Sequence, residues 1–121
     1  MATTYKVLGQ TSTSGSNGNG AQTLVAATAT NLYTVPAATE TVISTINVVN
    51  THASTSDVIR IAVRPNGATL SNEHYVVYGL SLSAAATFTF TAGITVDATD
   101  IITVYSTNGT SSFSVFGSEI A

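Results

Sequence analysis

Asp57-Val58-Ile59-Arg60-Ile61-Ala62-Val63-Arg64, running into Pro65-Asn66-Gly67, decides the fold class. Ile59, Ile61 and Val63 fall on one face of an extended chain, while Val58, Arg60, Ala62 and Arg64 fall on the other. That is a half-buried strand. The Pro-Asn-Gly behind it is a turn, since proline presets one backbone dihedral and Asn-Gly accepts positive φ at little steric cost. Outward from this segment the same signature recurs, in β-branched or alternating runs at residues 24–27, 31–35, 41–50, 74–78, 87–91, 100–106 and 111–118. Pro36-Ala37-Ala38 makes a turn ahead of the long strand at 41–50, and residues 50–56 form a polar turn before Asp57. Thr107-Asn108-Gly109-Thr110 carries the Asn-Gly pair that signals a tight hairpin between the last two strands. Ala84-Ala85-Ala86 offers one helical turn at most. Seven to nine short strands predict an all-β protein, a two-sheet antiparallel β-sandwich of jelly-roll or immunoglobulin-like order.

With 121 residues the chain has room for one such domain. Residues 1–22 read as an N-terminal arm and flexible segment. After a short apolar piece at 5–8, the stretch Gly9 to Gln22, GQTSTSGSNGNGAQ, has four glycines and almost no apolar side chain to offset its ordering entropy by burial. The sandwich is expected to occupy residues 23–121. Val35-Pro36-Ala37-Ala38-Thr39-Glu40 and Val96-Asp97-Ala98-Thr99-Asp100 echo one another as two similar turns at strand entrances.

Composition narrows the function. Only 7% of residues are charged, against roughly 25% in ordinary soluble proteins, and threonine and serine together supply 36 positions, so hydroxyls cover the solvent face. Lys6, Arg60 and Arg64 under a net charge of −3 exclude binding nucleic acid by phosphate neutralisation, and equally a polybasic membrane patch. The N-terminus lacks a signal-peptide core and no run is continuously apolar over a bilayer's width, which predicts a soluble protein made in the cytoplasm. The chain has no cysteine, so disulfides, thiolate metal sites and thiol catalysis are excluded.

Catalysis needs acids, bases or nucleophiles that converge. His52 lies in a polar turn. His74 begins a strand beside Glu73, and neighbours on a strand point to opposite faces. Asp97 and Asp100 flank a turn with too few oxygens for calcium, and backbone capping is their plainer role. The serines sit in neither G-x-S-x-G nor S-x-x-K, and GSNGNG does not join a strand to a helix as a phosphate loop would. No catalytic, cofactor or metal site is therefore expected. Among the aromatics, Phe88 and Phe90 share a sheet face and read as core, while strict alternation puts Tyr75 and Tyr78 on opposite faces, so they make no common platform. Arg60 and Arg64, four residues apart on one face, suit interface carboxylates; the alternative is a solvated pairing with Asp57 or Glu73.

Several segments in order carry a resemblance: Tyr5-Lys6-Val7-Leu8-Gly9-Gln10, Leu32-Tyr33-Thr34-Val35-Pro36-Ala37-Ala38-Thr39-Glu40, Arg60-Ile61-Ala62-Val63-Arg64-Pro65-Asn66-Gly67-Ala68, Asn72-Glu73-His74-Tyr75 and Phe116-Gly117-Ser118-Glu119. Together they resemble small structural proteins of tailed-bacteriophage virions, particularly phages of cyanobacteria. The resemblance implies a noncatalytic virion component located in the particle: foremost a capsid cement or decoration protein, a homotrimer bound to the major capsid protein, otherwise a tail, neck, baseplate or fibre-associated protein. Expected contact residues are Arg60, Arg64, Tyr5 and Lys6, with the arm of residues 2–20 lying across neighbouring subunits. A surface module that binds glycans, which requires exposed aromatics and carboxylates at one end of the sandwich, is the reading from a different class.

Overall fold

A computed structural model describes residues 2–121. The described residues form ten strands: β1 (Thr3–Ser12), β2 (Gly15–Gly18), β3 (Thr30–Thr34), β4 (Glu40–Asn50), β5 (Asp57–Arg64), β6 (Tyr75–Leu82), β7 (Thr87–Phe90), β8 (Ile94–Val96), β9 (Ile101–Ser106) and β10 (Ser111–Ile120). One antiparallel sheet has the order β2-β1-β10-β4-β7, with β8 also paired to β4; the other has the order β3-β9-β5-β6. The protein is an all-β, two-sheet sandwich, and β5 has the bounds and the inward Ile59 and Ile61 that its alternation predicts.

The pairing also resolves the strand order. β7 lies along residues 46–49 of β4 and β8 along residues 41–43, so the two act as one strand interrupted at a turn where Gly93 takes φ 64°. The antiparallel pairs then nest: β1 with β10, β3 with β9, β4 with β7 and β8, β5 with β6. A ribbon of nested pairs wrapped so that its segments alternate between two sheets is a jelly roll. An immunoglobulin order is excluded.

That wrapping overturns the expected hairpin at Asn108-Gly109. β9 belongs to one sheet and β10 to the other, so the turn is a corner between sheets. Its amide and side chain are drawn inward: Asn108 N–H donates to Asp57 Oδ1 (2.9 Å) and Asn108 Nδ2 to Ser56 O (3.0 Å). Asn-Gly sets the local bend, and the tertiary partners decide what it connects.

The N-terminal segment is likewise not an arm. Apart from Met1, which lies outside the described residues, it is part of the sheet: β1 pairs with β10 from Thr3 opposite Ile120 to Thr11 opposite Phe113, and Leu8 is fully buried in the core. Gly9 faces Leu32 so closely that a Cβ there would lie 2.2 Å from its carbonyl oxygen. The glycine-rich stretch folds back as β2, its order coming from hydrogen bonds instead of apolar burial: backbone pairing with residues 9–12, Asn17 Nδ2 to Gln10 Oε1 (2.8 Å) and Thr34 N to Asn19 O (2.8 Å). No domain boundary falls at residue 23. The strand expected at 24–27 is a turn instead, with Leu24 buried and Ala27 at φ 54°.

Between the sheets lie Leu8, Leu32, Tyr33, Ile46, Val48, Ile59, Ile61, Ile102, Val104, Phe113 and Val115, drawn from both layers and from both ends of the chain. Phe88 and Phe90 stack at 6.1 Å and pack against this core, as their spacing predicts. Because β1 supplies both ladder bonds and a core side chain, deletion of residues 2–12 is expected to abolish the cooperative thermal transition followed by far-UV circular dichroism. Leu8→Ala should cost about 2–5 kcal/mol in urea denaturation. A truncated protein that melts like the full chain would return the segment to the status of an appendage.

Candidate interaction surfaces

The outer face of the four-stranded sheet carries a cluster that simple alternation hides. In β6 Tyr78 pairs opposite Arg60 and Tyr75 opposite Ala62, because Val76 and Gly79 are extra residues that β5 does not match. Each bulge resets the alternation, and Gly79 takes the positive φ of 68° that such an insertion favours. Tyr75 and Tyr78 thus stand on one face with ring centroids 4.8 Å apart and planes at 78°, correcting the expectation that they diverge. On the other flank Arg60 pairs opposite Tyr105 of β9. Its guanidinium carbon lies 4.5 Å from the Tyr78 ring centroid and 4.3 Å from that of Tyr105, so the cation is stacked between two aromatic rings. A groove of about 460 Å³ opens beside it, lined by Asn72, Tyr75 and Tyr78.

The two arginines, alike in sequence, differ in state. Arg64 spends its donors inside the fold: Nε on Thr103 Oγ1 (3.0 Å), one terminal nitrogen on Asn31 Oδ1 (2.9 Å) and the other on Ala68 O (3.1 Å), which ties β5 to β9, β3 and the turn behind β5. Arg60 makes no ion pair among the described residues, and its Nε is buried without a hydrogen-bond partner. Neither pairs with Asp57 or Glu73. Asp57 is buried in a corner, and Glu73 lies 4.0 Å from His74 Nε2. That last contact corrects another expectation: Asn72–His74 is a 3-10 turn, in which neighbours do not alternate as on a strand, so Glu73 and His74 approach each other.

On the opposite side of the sandwich, β1, β10 and β4 expose Tyr5 (82%), Val7 and Val42, and Tyr5 and Val42 line a groove of about 440 Å³ with Phe116 and Ser118. Lys6 lines the same groove as Tyr5, but it also carries an ion pair. Lys6 Nζ is held 2.8 Å from Glu119 Oε1, whose other oxygen accepts the hydroxyl of the fully buried Tyr33.

Most of the remaining titratable groups bind the chain to itself. Burial alone would raise the Asp57 carboxyl, yet the hydroxyls of Ser106 and Ser111 and the amides of Asn108 and Val58 outweigh it and hold the group below its ordinary 3.8. Burial likewise opposes the ionised form of Glu119, and Lys6 and Tyr33 reverse the balance and lower it. Burial, then the bond to Glu119, pushes the Tyr33 phenol far above its ordinary 10.0. Asp100 accepts from the amides of Asn66 and Asp97 at 2.8 Å, and Asp97 accepts from Ala98, also at 2.8 Å, so both aspartates cap turns. His52 Nδ1 accepts from Ser54 and Thr55 N–H, and His74 Nδ1 from Ser71 N–H. Among the described residues no three His, Cys, Asp or Glu side chains converge as metal ligands would. Comparison of the chain with protein-family models, with curated proteins and with solved structures returns no match.

A depressed carboxyl stabilises the folded state when ionised, so the contribution of Asp57 and Glu119 is complete above the ordinary carboxylate range and is lost as pH falls through their lower folded values. The melting temperature should be level from neutral pH to about pH 5 and drop below that. Asp57→Ala, which leaves two buried serine hydroxyls without their acceptor, should cost about 1–3 kcal/mol at pH 7 and flatten the acid dependence. An unchanged acid limb in that variant would remove Asp57 as its source.

Proposed function

We propose that this chain is a noncatalytic structural protein of a tailed-bacteriophage virion, most simply a capsid cement protein that acts as a homotrimer on the major capsid protein. The observation that carries the reading is the placement of accessible aromatic surface on both outer faces: Tyr5 at 82% exposure with Val7 and Val42 on one sheet, and Tyr78 at 63% on the other. A domain with two such faces on opposite sides touches two neighbours at once, which is what a protein that holds a lattice together requires. Jelly rolls serve as capsid domains, and the charge-poor, hydroxyl-rich composition suits close packing between copies, since few ions need desolvation. The resemblance of the segments around Tyr5, Leu32, Arg60 and Phe116 to phage structural proteins points the same way. Because β1 is built into the sheet, the contacts are assigned to folded faces, with Tyr5 and Arg60 the leading residues, and not to a trailing arm.

Symmetry ties the number of copies in a particle to location. Quantitative mass spectrometry of purified virions is expected to give a copy number comparable to that of the major shell protein. A small multiple of three or six instead assigns the protein to the tail, neck, baseplate or fibre, and its absence from particles overturns the virion reading. In the cement role, Tyr5→Ser should lower occupancy on the particle without changing the melting temperature.

A further inference from the structure

The two arginines differ in one respect that points to a ligand. Arg64 is saturated within the fold, while Arg60 has no carboxylate partner among the described residues and keeps a buried Nε donor unpaired. The guanidinium carbon lies over the rings of Tyr78 and Tyr105, while Arg60 as a whole stays partly exposed and its terminal nitrogens, unlike Nε, are not enclosed, which leaves them as its route to a partner. The paired terminal nitrogens of a guanidinium are the complement of a carboxylate, which takes two parallel N–H bonds from them. Nε is enclosed and out of reach of a ligand, so the carboxylate is taken by the two terminal nitrogens, which make no hydrogen bond within the fold.

The neighbouring groove says what the carboxylate is attached to. Tyr78, which packs on Arg60, also forms one wall; Tyr75 forms another at 78° to it, and Asn72 brings an amide. The two rings are in edge-to-face contact and together border the groove; aromatic rings take the C–H face of a sugar, and an amide exchanges hydrogen bonds with its hydroxyls. The groove of about 460 Å³ has room for a sugar ring beside the tyrosines. The geometry points to a binding site for an acidic saccharide on this face, the sugar ring against Tyr75 and Tyr78 and its carboxylate on Arg60. This inference goes beyond the structural role but uses the same face that the role gives to a neighbouring subunit, so it concerns the protein outside the assembled particle; saccharide binding is read on the isolated protein and occupancy on the particle, and either can fail without the other.

Isothermal titration of the full chain with a trimer of galacturonic acid is the test. Binding is expected, weakening as salt is raised. The fully methyl-esterified trimer, which keeps the sugar rings and loses the charge, should bind at least about tenfold more weakly. Arg60→Met preserves much of the packing between the rings and should lose affinity to the same extent with little change in melting temperature; Tyr78→Ala should also weaken binding, and Tyr5→Ser on the other sheet should leave it unchanged. Equal affinity for acid and ester, undiminished binding by Arg60→Met, or no heat with the acid trimer overturns the proposal. Equal or tighter binding of tri-glutamate also overturns it, in favour of an acidic peptide. Should Arg60→Met fail to fold, the acid-versus-ester comparison on the unaltered chain together with Tyr78→Ala still separates these outcomes.

Discussion

Asp57 carries a negative charge into a corner of the sandwich where it is 1% exposed, and the wrapping of the chain depends on how that charge is satisfied. Removing a carboxylate from water costs several kcal/mol unless hydrogen bonds replace the lost hydration. Here the replacements come from sequence-distant places: the hydroxyls of Ser106 at the end of β9 and Ser111 at the start of β10, and the amide of Asn108 between them. All three lie on the crossing from one sheet to the other, so the carboxylate at the head of β5 holds the β9–β10 corner closed. Asn50, also fully buried, plays the matching part beside it. Its amide donates to Thr55, Leu82 and Ser83 carbonyls, and its oxygen accepts from His52 N–H, joining the β4–β5 crossing to the β6–β7 crossing. A jelly roll has many such crossings, and each leaves backbone groups without ladder partners.

The scarcity of charge takes on a structural meaning in this light. Asp57 and Asp100 close corners, Glu119 pairs with Lys6 above Tyr33, and Arg64 ties three strands to a turn. Asp57 and Glu119 are buried, where hydrogen bonding in a low dielectric counts for more than an exposed ion pair, and Asp100, Lys6 and Arg64 hold turns and strand ends nearer the surface. The outer faces of the sheets are carried largely by hydroxyls, tyrosines and valines. Arg60 departs from this pattern, as a cation held between rings without an acceptor, and its departure gives the outer face of the four-stranded sheet its chemical character.

Legibility in the sequence follows the range of the forces involved. β5, β4 and β10 are readable because their alternation reflects one buried face, a local consequence of burial on a pleated strand. The two-sheet class follows from their number. Strand order is not readable, since nothing near Asn108-Gly109 distinguishes a hairpin from a corner; the distinction lies with Asp57, some fifty positions away. The N-terminal segment misleads for a related reason: a stretch without apolar side chains can be ordered wholly by backbone pairing to a neighbour that the sequence does not identify. Of the expected contact residues, Arg60 and Tyr5 lie on accessible aromatic surface, whereas Arg64 and Lys6 are engaged within the fold. The Tyr75 and Tyr78 notch is invisible to alternation, because two bulges separate the register of β6 from its sequence parity, although Gly79 is a local signal that one is present.

Those bulges also bear on how the edge of the four-stranded sheet is protected. β6 is an edge strand, and a regular edge of eight residues would offer its free backbone groups to any neighbouring chain. The insertions at Val76 and Gly79 break the even spacing of those groups and twist the edge, which opposes sheet-to-sheet addition. The same insertions turn Tyr75 and Tyr78 to one side. A single backbone device thus protects the edge and assembles the aromatic notch beside Arg60, so a substitution that regularised β6 would expose the one as it dismantled the other.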